Sequence, residues 1–309
     1  IKKKPTKIAI NISDNYALAD GLVKTDYDGL LKVLPNKYIK RLVSSEAIAV
    51  SWIEKRSSIE MNIYSQLVEI THKIIKEAFS IKEVDVIKSK ILNFWKKNPD
   101  TYNKMTEGCP DFHRIITPEI AKNYSVGAVR HTTYFFPWND DPCGFNEMIY
   151  ERWRYSKYLG GLAYDEYENN TPEDGSIDRI QVVCYPPTFG GVETHVDTDS
   201  NNPLAISCYL SERGKDYKTG GFYCIDEKDK IIDIEPEIEM GDISLYCPTI
   251  EHGVETIDSK IDGVKIDDYD WNSGQGRWWM GLFTNDSNLK PKRKTSKSLA
   301  QFHSSTLND

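Results

Sequence analysis

A histidine and an aspartate one residue apart are the side chains in this sequence best suited to metal chemistry. They lie in Glu193-Thr194-His195-Val196-Asp197, directly after a Gly-rich turn. On an extended backbone, alternate side chains point to the same face, so we expect His195 and Asp197 to project together. An imidazole and a carboxylate on one face supply two ligands of a divalent metal ion. The spacing alone is common, so the interpretation depends on the rest of the chain.

Two further residues downstream complete a possible metal and cosubstrate site. His252 follows the predicted strand Ile243–Cys247, and Arg277 opens the last predicted strand. Two histidines and one carboxylate form the facial triad of non-haem Fe(II) oxygenases, which leaves other metal positions open. A buried guanidinium at Arg277 can bind the distal carboxylate of a ligand through two hydrogen bonds.

The order of these pieces between about residues 179 and 284 resembles the Fe(II)/2-oxoglutarate-dependent dioxygenase superfamily. The matching pieces, in chain order, are the strand ending at Tyr185 with its Gly turn, His195-x-Asp197, the strand Leu204–Leu210, Gly220-Gly221, the turn at Gly241-Asp242, His252 and Arg277. One departure from the family pattern is the long gap between His252 and Arg277. We interpret the polar segment Asp258–Gln275 within that gap as an insertion.

The resemblance implies an α+β fold, with a double-stranded β-helix (a jelly-roll or cupin-like barrel) supported by N-terminal helices. It also implies that His195, Asp197 and His252 are the catalytic residues and the ligands of Fe(II). The cosubstrate 2-oxoglutarate would chelate this iron. Reaction with O2 would then release succinate and CO2 and hydroxylate a C–H bond of the substrate.

The same resemblance assigns the residues that bind the cosubstrate. Arg277 would neutralise the C5 carboxylate of 2-oxoglutarate, and Tyr185 would add a hydroxyl hydrogen bond. Tyr209 and Tyr246 are alternatives to Tyr185, because all three fall in or next to predicted strands.

Comparison with branches of the superfamily narrows the reaction. Halogenases have a small residue where this chain has Asp197, so hydroxylation is favoured, with desaturation and ring closure left open. Nucleic-acid demethylases carry a second arginine six residues after the first, where this chain has Phe283. Peptidyl prolyl hydroxylases usually have lysine in place of Arg277. We therefore predict a small-molecule or carrier-linked substrate with an unactivated C–H bond. A peptidyl or protein side-chain hydroxylase and a non-catalytic cupin-like ligand-binding barrel remain alternatives.

Helices are predicted before about residue 125 and strands after it. Apolar residues recur at three- and four-residue spacing from Ile59 to Ile75 and again from Val84 to Trp95, which indicates amphipathic helices. Short β-rich runs follow, and no helix-length segment is evident between them, so an antiparallel barrel is favoured over a parallel α/β sheet. The runs are Ala128–Phe136, Arg179–Tyr185, Leu204–Leu210, Gly221–Ile225, Ile231–Ile234, Ile243–Cys247, Gly253–Ile257 and Trp278–Thr284.

We accordingly predict three regions: a mainly helical region packed on the barrel (1–125), the oxygenase core (126–287) and a basic, flexible tail (288–309). The loop Asp165–Asp178 carries six acidic residues and no basic one. It is interpreted as a mobile surface loop or as a lid over the site, and a lid of this charge would favour a cationic substrate.

Composition excludes several classes of protein. The chain has 309 residues and a net charge of −8, which argues against a nucleic-acid partner. No run of about 20 apolar residues is present, so no membrane span is expected. The six cysteines include no C-x-x-C pair, which argues against a zinc ribbon. We expect a cytoplasmic protein, with the substrate's identity and the oligomeric state left open.

Overall fold

The computed structural model describes residues 6–13, 21–49, 78–102, 105–199, 201, 204–259 and 265–299. The chain divides into two compact units, Ile1–Ile70 and Thr71–Asp309. The described part of the first unit includes a two-stranded parallel sheet and short helices, among them β1 (Ile8–Ile10), α1 (Lys24–Val33), α2 (Asn36–Ile39) and β2 (Leu42–Ser44). Among the described residues, no helix is long and apolar enough to cross a membrane.

The second unit contains the sheets that position the candidate site. Its strands are β3 (Phe112–Ile116), β4 (Ala128–Phe135), β5 (Ser176–Tyr185), β6 (Gly191–Val196), β7 (Ala205–Tyr209), β8 (Gly221–Ile225), β9 (Ile231–Asp233), β10 (Ile243–Tyr246), β11 (His252–Glu255), β12 (Arg277–Asp286) and β13 (Lys297–Ser298). Its helices are α3 (Ile81–Lys97), α4 (Pro118–Ala121) and α5 (Asn146–Leu159). Short 3-10 turns lie at Pro172–Asp174, Glu235–Glu237 and Ile266–Asp268.

The strands form two antiparallel layers. The larger layer has the order β10-β7-β12-β5-β4-β3, and the smaller has the order β9-β8-β11-β6, with β13 and one end of β4 on β6. Strands β5 to β8 alternate between the larger and smaller layers, and strands β9 to β12 alternate again. This double alternation is the topology of a double-stranded β-helix. The predicted fold class is confirmed.

A helical layer covers the outer face of the larger sheet. Ser80 caps α3 with a capping box completed by Glu83. The buried stripe of α3 from Val84 to Trp95 packs in one hydrophobic cluster with outward-facing strand residues such as Val182 and Met280. Because strand side chains alternate, the remaining side chains of β5 and β12 face the interior between the sheets. The helix predicted over Val84–Trp95 is confirmed.

The structure sets some boundaries differently from the sequence. Strand β3 pairs with β4, so the sheet begins before residue 126. Helix α5 lies between β4 and β5, where no helix was predicted, and it buries Ile149, Tyr150 and Trp153. This segment is rich in aromatic residues, which are common in strands, so its helical spacing was not recognised from the sequence.

The tail is partly ordered on the barrel. Lys297–Ser298 forms β13 against β6, whereas a flexible tail was predicted from residue 288. The second pairing partner on β6 is His195, so the tail reaches the candidate site. The apolar run Ile59–Ile75 and residues 300–309 lie outside the described part of the chain.

Candidate metal centre

Tertiary structure brings the three predicted ligands together. His195 lies near the end of β6, Asp197 follows that strand, and His252 begins β11. Strands β6 and β11 pair antiparallel with His195 directly opposite His252. Ligand atoms of all three residues lie within 4.8 Å of one another. Each histidine Nε2 is 3.7 Å from a different carboxylate oxygen of Asp197.

Backbone carbonyls orient both imidazoles. The Nδ1 atoms of His195 and His252 lie 2.9 Å and 2.8 Å from the carbonyl oxygens of Glu193 and Ile250. An N–H at Nδ1 that donates to a carbonyl leaves the Nε2 lone pair free to face the centre. Burial, followed by the neighbouring His252, lowers the pKa of His195 to about 4. His195 is therefore neutral at pH 7, which is the form that binds a metal.

The donor set fits a divalent first-row metal. Two neutral imidazoles and one carboxylate, converging from one side, leave the opposite positions free for other ligands. The centroids of the two imidazole rings are 4.2 Å apart, and the side chain of Asp197 is 16% exposed. The three ligands therefore form a partly enclosed cluster with one open side.

The tail fixes the carboxylate of Asp197. The hydroxyl of Ser296 donates to Oδ1 of Asp197 at 2.6 Å. The backbone N–H of Asp197 donates to the carbonyl of Pro248 at 2.9 Å. Ser296 lies 99 residues along the chain from Asp197, in a segment whose composition predicted disorder. Sequence patterns carried no signal for this contact.

We expect Ser296→Ala to weaken metal binding about tenfold, because hydrogen bonds to a ligating carboxylate restrict its orientation. Titration of the protein with Mn(II), followed by electron paramagnetic resonance, measures the affinity. The matched control is Thr295→Ala, which removes a hydroxyl from the exposed neighbouring residue. Equal affinities in the two variants would show that Ser296 does not position the ligand.

A pocket opens from the metal centre into the space between the sheets. Its volume is about 150 Å³, and its lining includes the three candidate ligands. The charged residues of this lining, besides Asp197, are three arginines: Arg130, Arg179 and Arg277. The interior of the barrel is therefore cationic, although the chain as a whole is acidic.

The strand register places two of these arginines, Arg179 and Arg277, at opposite ends of the pocket. On β5, Arg179 pairs with Phe283, and Tyr185 pairs with Arg277. These pairs are six residues apart along the strand, or roughly 20 Å at 3.3 Å per residue. The ring of Tyr246, near the Phe283 end of the sheet, lies 5.3 Å from the ring of His252. The backbone of Arg179 is thus at the metal end, and that of Arg277 is at the far end.

Arg277 is already paired within the protein. Its Nε and Nη2 donate to the carboxylate of Glu235 at 2.8 Å and 3.1 Å, and both side chains are 1% exposed. The hydroxyl of Tyr217 and the backbone N–H of Phe222 also donate to Glu235. Of the three guanidinium nitrogens of Arg277, Nη1 is the one that is buried without a hydrogen-bond partner among the described residues. Sequence reasoning missed Glu235, because the two residues are 42 positions apart.

The three candidate tyrosines have different surroundings. The hydroxyl of Tyr209 lies 2.8 Å from that of Ser244, and Tyr209 is absent from the pocket lining. Tyr246 lines the pocket, and its hydroxyl accepts a hydrogen bond from Oγ of Ser207 at 3.5 Å. The ring of Tyr185 lines the far end, 5.6 Å from the guanidinium of Arg277. Tyr185 is thus the tyrosine of the three that adjoins Arg277 within the pocket.

Arg130 and Arg179 were not singled out from the sequence. The Nε atom of each is buried without a hydrogen-bond partner, and neither residue pairs with a carboxylate in the described part of the chain. Burial, opposed by Tyr134 and reinforced by neighbouring arginines including Arg114, lowers the pKa of Arg179 to about 10. The sequence could have indicated these residues, because each is an arginine at a strand position whose side chain faces the space between the sheets.

These guanidiniums surround the phenol of Tyr134. Arg114 and Arg179 lie 4.7 Å and 4.9 Å from the centroid of its ring. Burial raises the pKa of Tyr134, but Arg114, Arg130 and Arg179 outweigh burial and bring the pKa down to about 8. The phenol therefore reports on the positive charge around the pocket.

We expect one tyrosine to ionise near pH 8, well below the usual pKa of about 10, and this step to be lost in Tyr134→Phe. Because the folded state has the lower pKa, the wild type should gain stability over Tyr134→Phe as pH rises from about 8 to 10. Ultraviolet absorbance of the phenolate and denaturant unfolding measure the two effects. Tyr158→Phe, at an exposed tyrosine, is the control and should keep the early step.

The acidic loop does not form a lid over the described pocket. None of the residues Asp165–Asp178 lines it. Two of the loop's six carboxylates pair with helix α5: Asp178 pairs with buried Lys157, and Glu168 pairs with Arg154 at 2.8 Å. The loop therefore does not form the predicted acidic lid over this pocket.

Two of the remaining histidines are structural. His113 and His131 are buried with ring nitrogens 2.8 Å apart, and His131 stacks on Trp95 at 3.5 Å. Burial lowers the pKa of His131 to about 3, so it stays neutral in the folded protein. His72 and His303 lie outside the described residues.

Comparison with known proteins gives a distant structural likeness. No protein-family model matches the chain, and no curated protein matches its sequence. A prolyl hydroxylase from Trichoplax adhaerens, solved with a hypoxia inducible factor peptide fragment, is 13% identical over 75% of this chain and 94% of its own, with a TM-score of 0.42. A 2OG-Fe(II) oxygenase family protein from Caulobacter crescentus is 14% identical over 72% and 83%, with a TM-score of 0.34.

A prolyl-4-hydroxylase from Pseudomonas putida is 14% identical over 50% of this chain and 68% of its own, with a TM-score of 0.32. The solved structures resembling the chain thus include 2-oxoglutarate oxygenases. Similarity this low has no bearing on activity. The fold assignment rests on the strand order, and the site assignment rests on the geometry of its residues.

Proposed function

We propose that this chain is an Fe(II)/2-oxoglutarate-dependent oxygenase that hydroxylates an unactivated C–H bond of a small-molecule or carrier-linked substrate. The observation that carries the proposal is the His195, Asp197 and His252 cluster at the mouth of a double-stranded β-helix, facing a cationic pocket. Bound there, Fe(II) would supply the oxidative decarboxylation of 2-oxoglutarate by O2 to succinate and CO2, coupled to hydroxylation of the substrate.

The residues of the chain prepare the site for this chemistry. Both imidazoles are oriented by backbone carbonyls, burial keeps His195 neutral, and Asp197 is held by Ser296. Val192 and Phe222 contribute apolar walls to the pocket, and the ring of Phe222 lies 5.8 Å from that of His252. Exclusion of water strengthens electrostatic contacts and limits side reactions.

The far end of the pocket suits the C5 carboxylate of the cosubstrate. Nη1 of Arg277 is buried and unpartnered there. Arg130 lines the same pocket; burial lowers its pKa, but Tyr134 and then Tyr185 outweigh burial and raise it. Because Glu235 already compensates the charge of Arg277, we assign most of the attraction for this carboxylate to Arg130. Tyr185 adjoins both guanidiniums and would supply the hydroxyl contact.

The test is anaerobic titration of the protein with Fe(II) and 2-oxoglutarate. We expect a weak visible metal-to-ligand charge-transfer band, and succinate formation when O2 is admitted. A metabolite extract incubated with the enzyme should then contain a species heavier by one oxygen atom. A non-catalytic ligand-binding barrel would give neither the band nor succinate. A product found only on added peptides would identify a protein side-chain hydroxylase.

A further inference from the structure

Among the described residues, Arg179 is a buried cation without a compensating carboxylate at the metal end of the pocket. Its Nη2 donates to Gln181 at 2.9 Å, its Nη1 donates to Sδ of Met105 at 3.9 Å, and its guanidinium lies against the rings of Tyr134 and Phe283. Its Nε has no partner in the described part of the chain. Burying an unpaired charge is costly, so a protein that keeps one at a pocket wall usually has a ligand that pairs with it.

The charges of the pocket lining show how much compensation is missing. Three arginines and Asp197 are its charged residues, because histidines bind a metal ion as neutral imidazoles. Glu235, just behind the lining, cancels Arg277. A divalent metal and the 2-oxoglutarate dianion would cancel each other. One positive charge remains once Asp197 is set against one of the two other arginines.

The position of this remaining charge separates it from the cosubstrate. The C5 carboxylate is assigned to the far end, where Arg130, Tyr185 and Arg277 adjoin. Arg179 belongs to the pair with Phe283 at the other end of β5. That end is the one near Tyr246 and His252, where a substrate must approach the metal.

We propose that Arg179, oriented by Gln181, binds a carboxylate of the substrate, so that the enzyme acts on monoanionic carboxylic acids. This proposal rests on the proposed function and adds the class of substrate. The planar guanidinium matches a carboxylate through two parallel hydrogen bonds. A phosphate dianion would exceed the single positive charge, and a cationic substrate would be repelled. The rings of Tyr134 and Phe283 hold the guanidinium in place, and Tyr134 leaves its charge uncompensated while the phenol is protonated, below its pKa of about 8.

The experiment compares acids with their neutral analogues. The Fe(II)-loaded enzyme with saturating 2-oxoglutarate is incubated with straight-chain and aromatic monocarboxylates and with the corresponding primary amides. Succinate release measures turnover. The ionisation of Tyr134, followed by absorbance in the Mn(II)- and 2-oxoglutarate-bound protein, measures binding without turnover. We expect acids to stimulate succinate release at least about tenfold more than amides and to raise the pKa of Tyr134.

The diagnostic variant is Arg179→Gln, with Arg179→Lys as the conservative form. Arg179→Gln should abolish the preference for acids and leave the half-saturating concentration of 2-oxoglutarate within about twofold of the wild type. Arg179→Lys should retain part of the preference, because lysine keeps the charge but lacks the planar fork. Denaturant unfolding should show that Arg179→Gln does not destabilise the protein, since the substitution removes an unpaired buried charge.

Each failure has a separate signature. Absence of the charge-transfer band in the wild type contradicts the proposed function itself. A normal band with no preference for acids, or a preference that survives in Arg179→Gln, overturns the substrate assignment alone. Loss of 2-oxoglutarate binding in Arg179→Gln would make Arg179 a cosubstrate residue and would also overturn it.

Discussion

Replacing Asp197 with alanine should abolish both the charge-transfer band and succinate formation, the largest loss of activity that we expect from a single substitution. Asp197 is the one anionic ligand of the three, and its two oxygens face the two histidine Nε2 atoms at 3.7 Å. Without it, the metal would be held by two neutral imidazoles, and its affinity should fall by at least about a hundredfold. Equilibrium dialysis with Mn(II) and the anaerobic Fe(II) titration measure the two losses.

A matched control is available two residues along the chain. Asp199 is exposed and lies outside both the ligand cluster and the pocket lining. Asp199→Ala removes the same charge and should retain the band and wild-type metal affinity. If Asp197→Ala binds metal as well as Asp199→Ala does, the His195, Asp197 and His252 cluster is not the metal site.

Replacing Glu235 with alanine should give the largest loss of stability. This carboxylate accepts hydrogen bonds from Arg277, Tyr217 and the backbone N–H of Phe222, all in the buried interior. Removing one partner of a buried ion pair leaves the other charge uncompensated, which typically costs about 3–5 kcal/mol. Denaturant unfolding of the metal-free protein, monitored by tryptophan fluorescence, measures the change in the free energy of unfolding.

Two companion variants separate the ion pair from the turn that carries it. Glu237→Ala alters an exposed glutamate in the same 3-10 turn and should change stability by less than about 0.5 kcal/mol. The double variant Glu235→Leu with Arg277→Met should recover much of the lost stability, because apolar replacement of both partners removes the buried charge. A loss in Glu235→Ala no larger than that in Glu237→Ala would show that the pair contributes no net stability.

The metal ligands illustrate how far local patterns reach. The pairing of His195 with Asp197 follows from strand alternation, which operates over two residues and needs no knowledge of the fold. The prediction of His252 as a ligand depended on the family resemblance, because its distance from His195 is set by the pairing of β6 with β11. The helix over Val84–Trp95 was equally accessible, since its apolar stripe is a local periodic signal.

The surroundings of the site depended on contacts that no local pattern encodes. Ser296 reaches Asp197 from a tail whose composition predicted disorder, and two carboxylates of the acidic loop pair with α5. Composition measures average solvation, so it does not reveal a single serine held by the pairing of β13 with β6. Arg277 was correctly placed in a strand, but its state is set by Glu235 from a distant turn.

By itself the sequence determined the strand runs, the amphipathic helix α3 and the types of residue available as metal ligands, because these depend on spacing along the chain. Only the tertiary structure decided which charges are compensated. Electrostatic interaction depends on distance through space and on burial, and both are fixed when the two sheets close around the pocket. Glu235 was thereby joined to Arg277, and Arg179 was left with an unpaired charge beside the candidate metal centre.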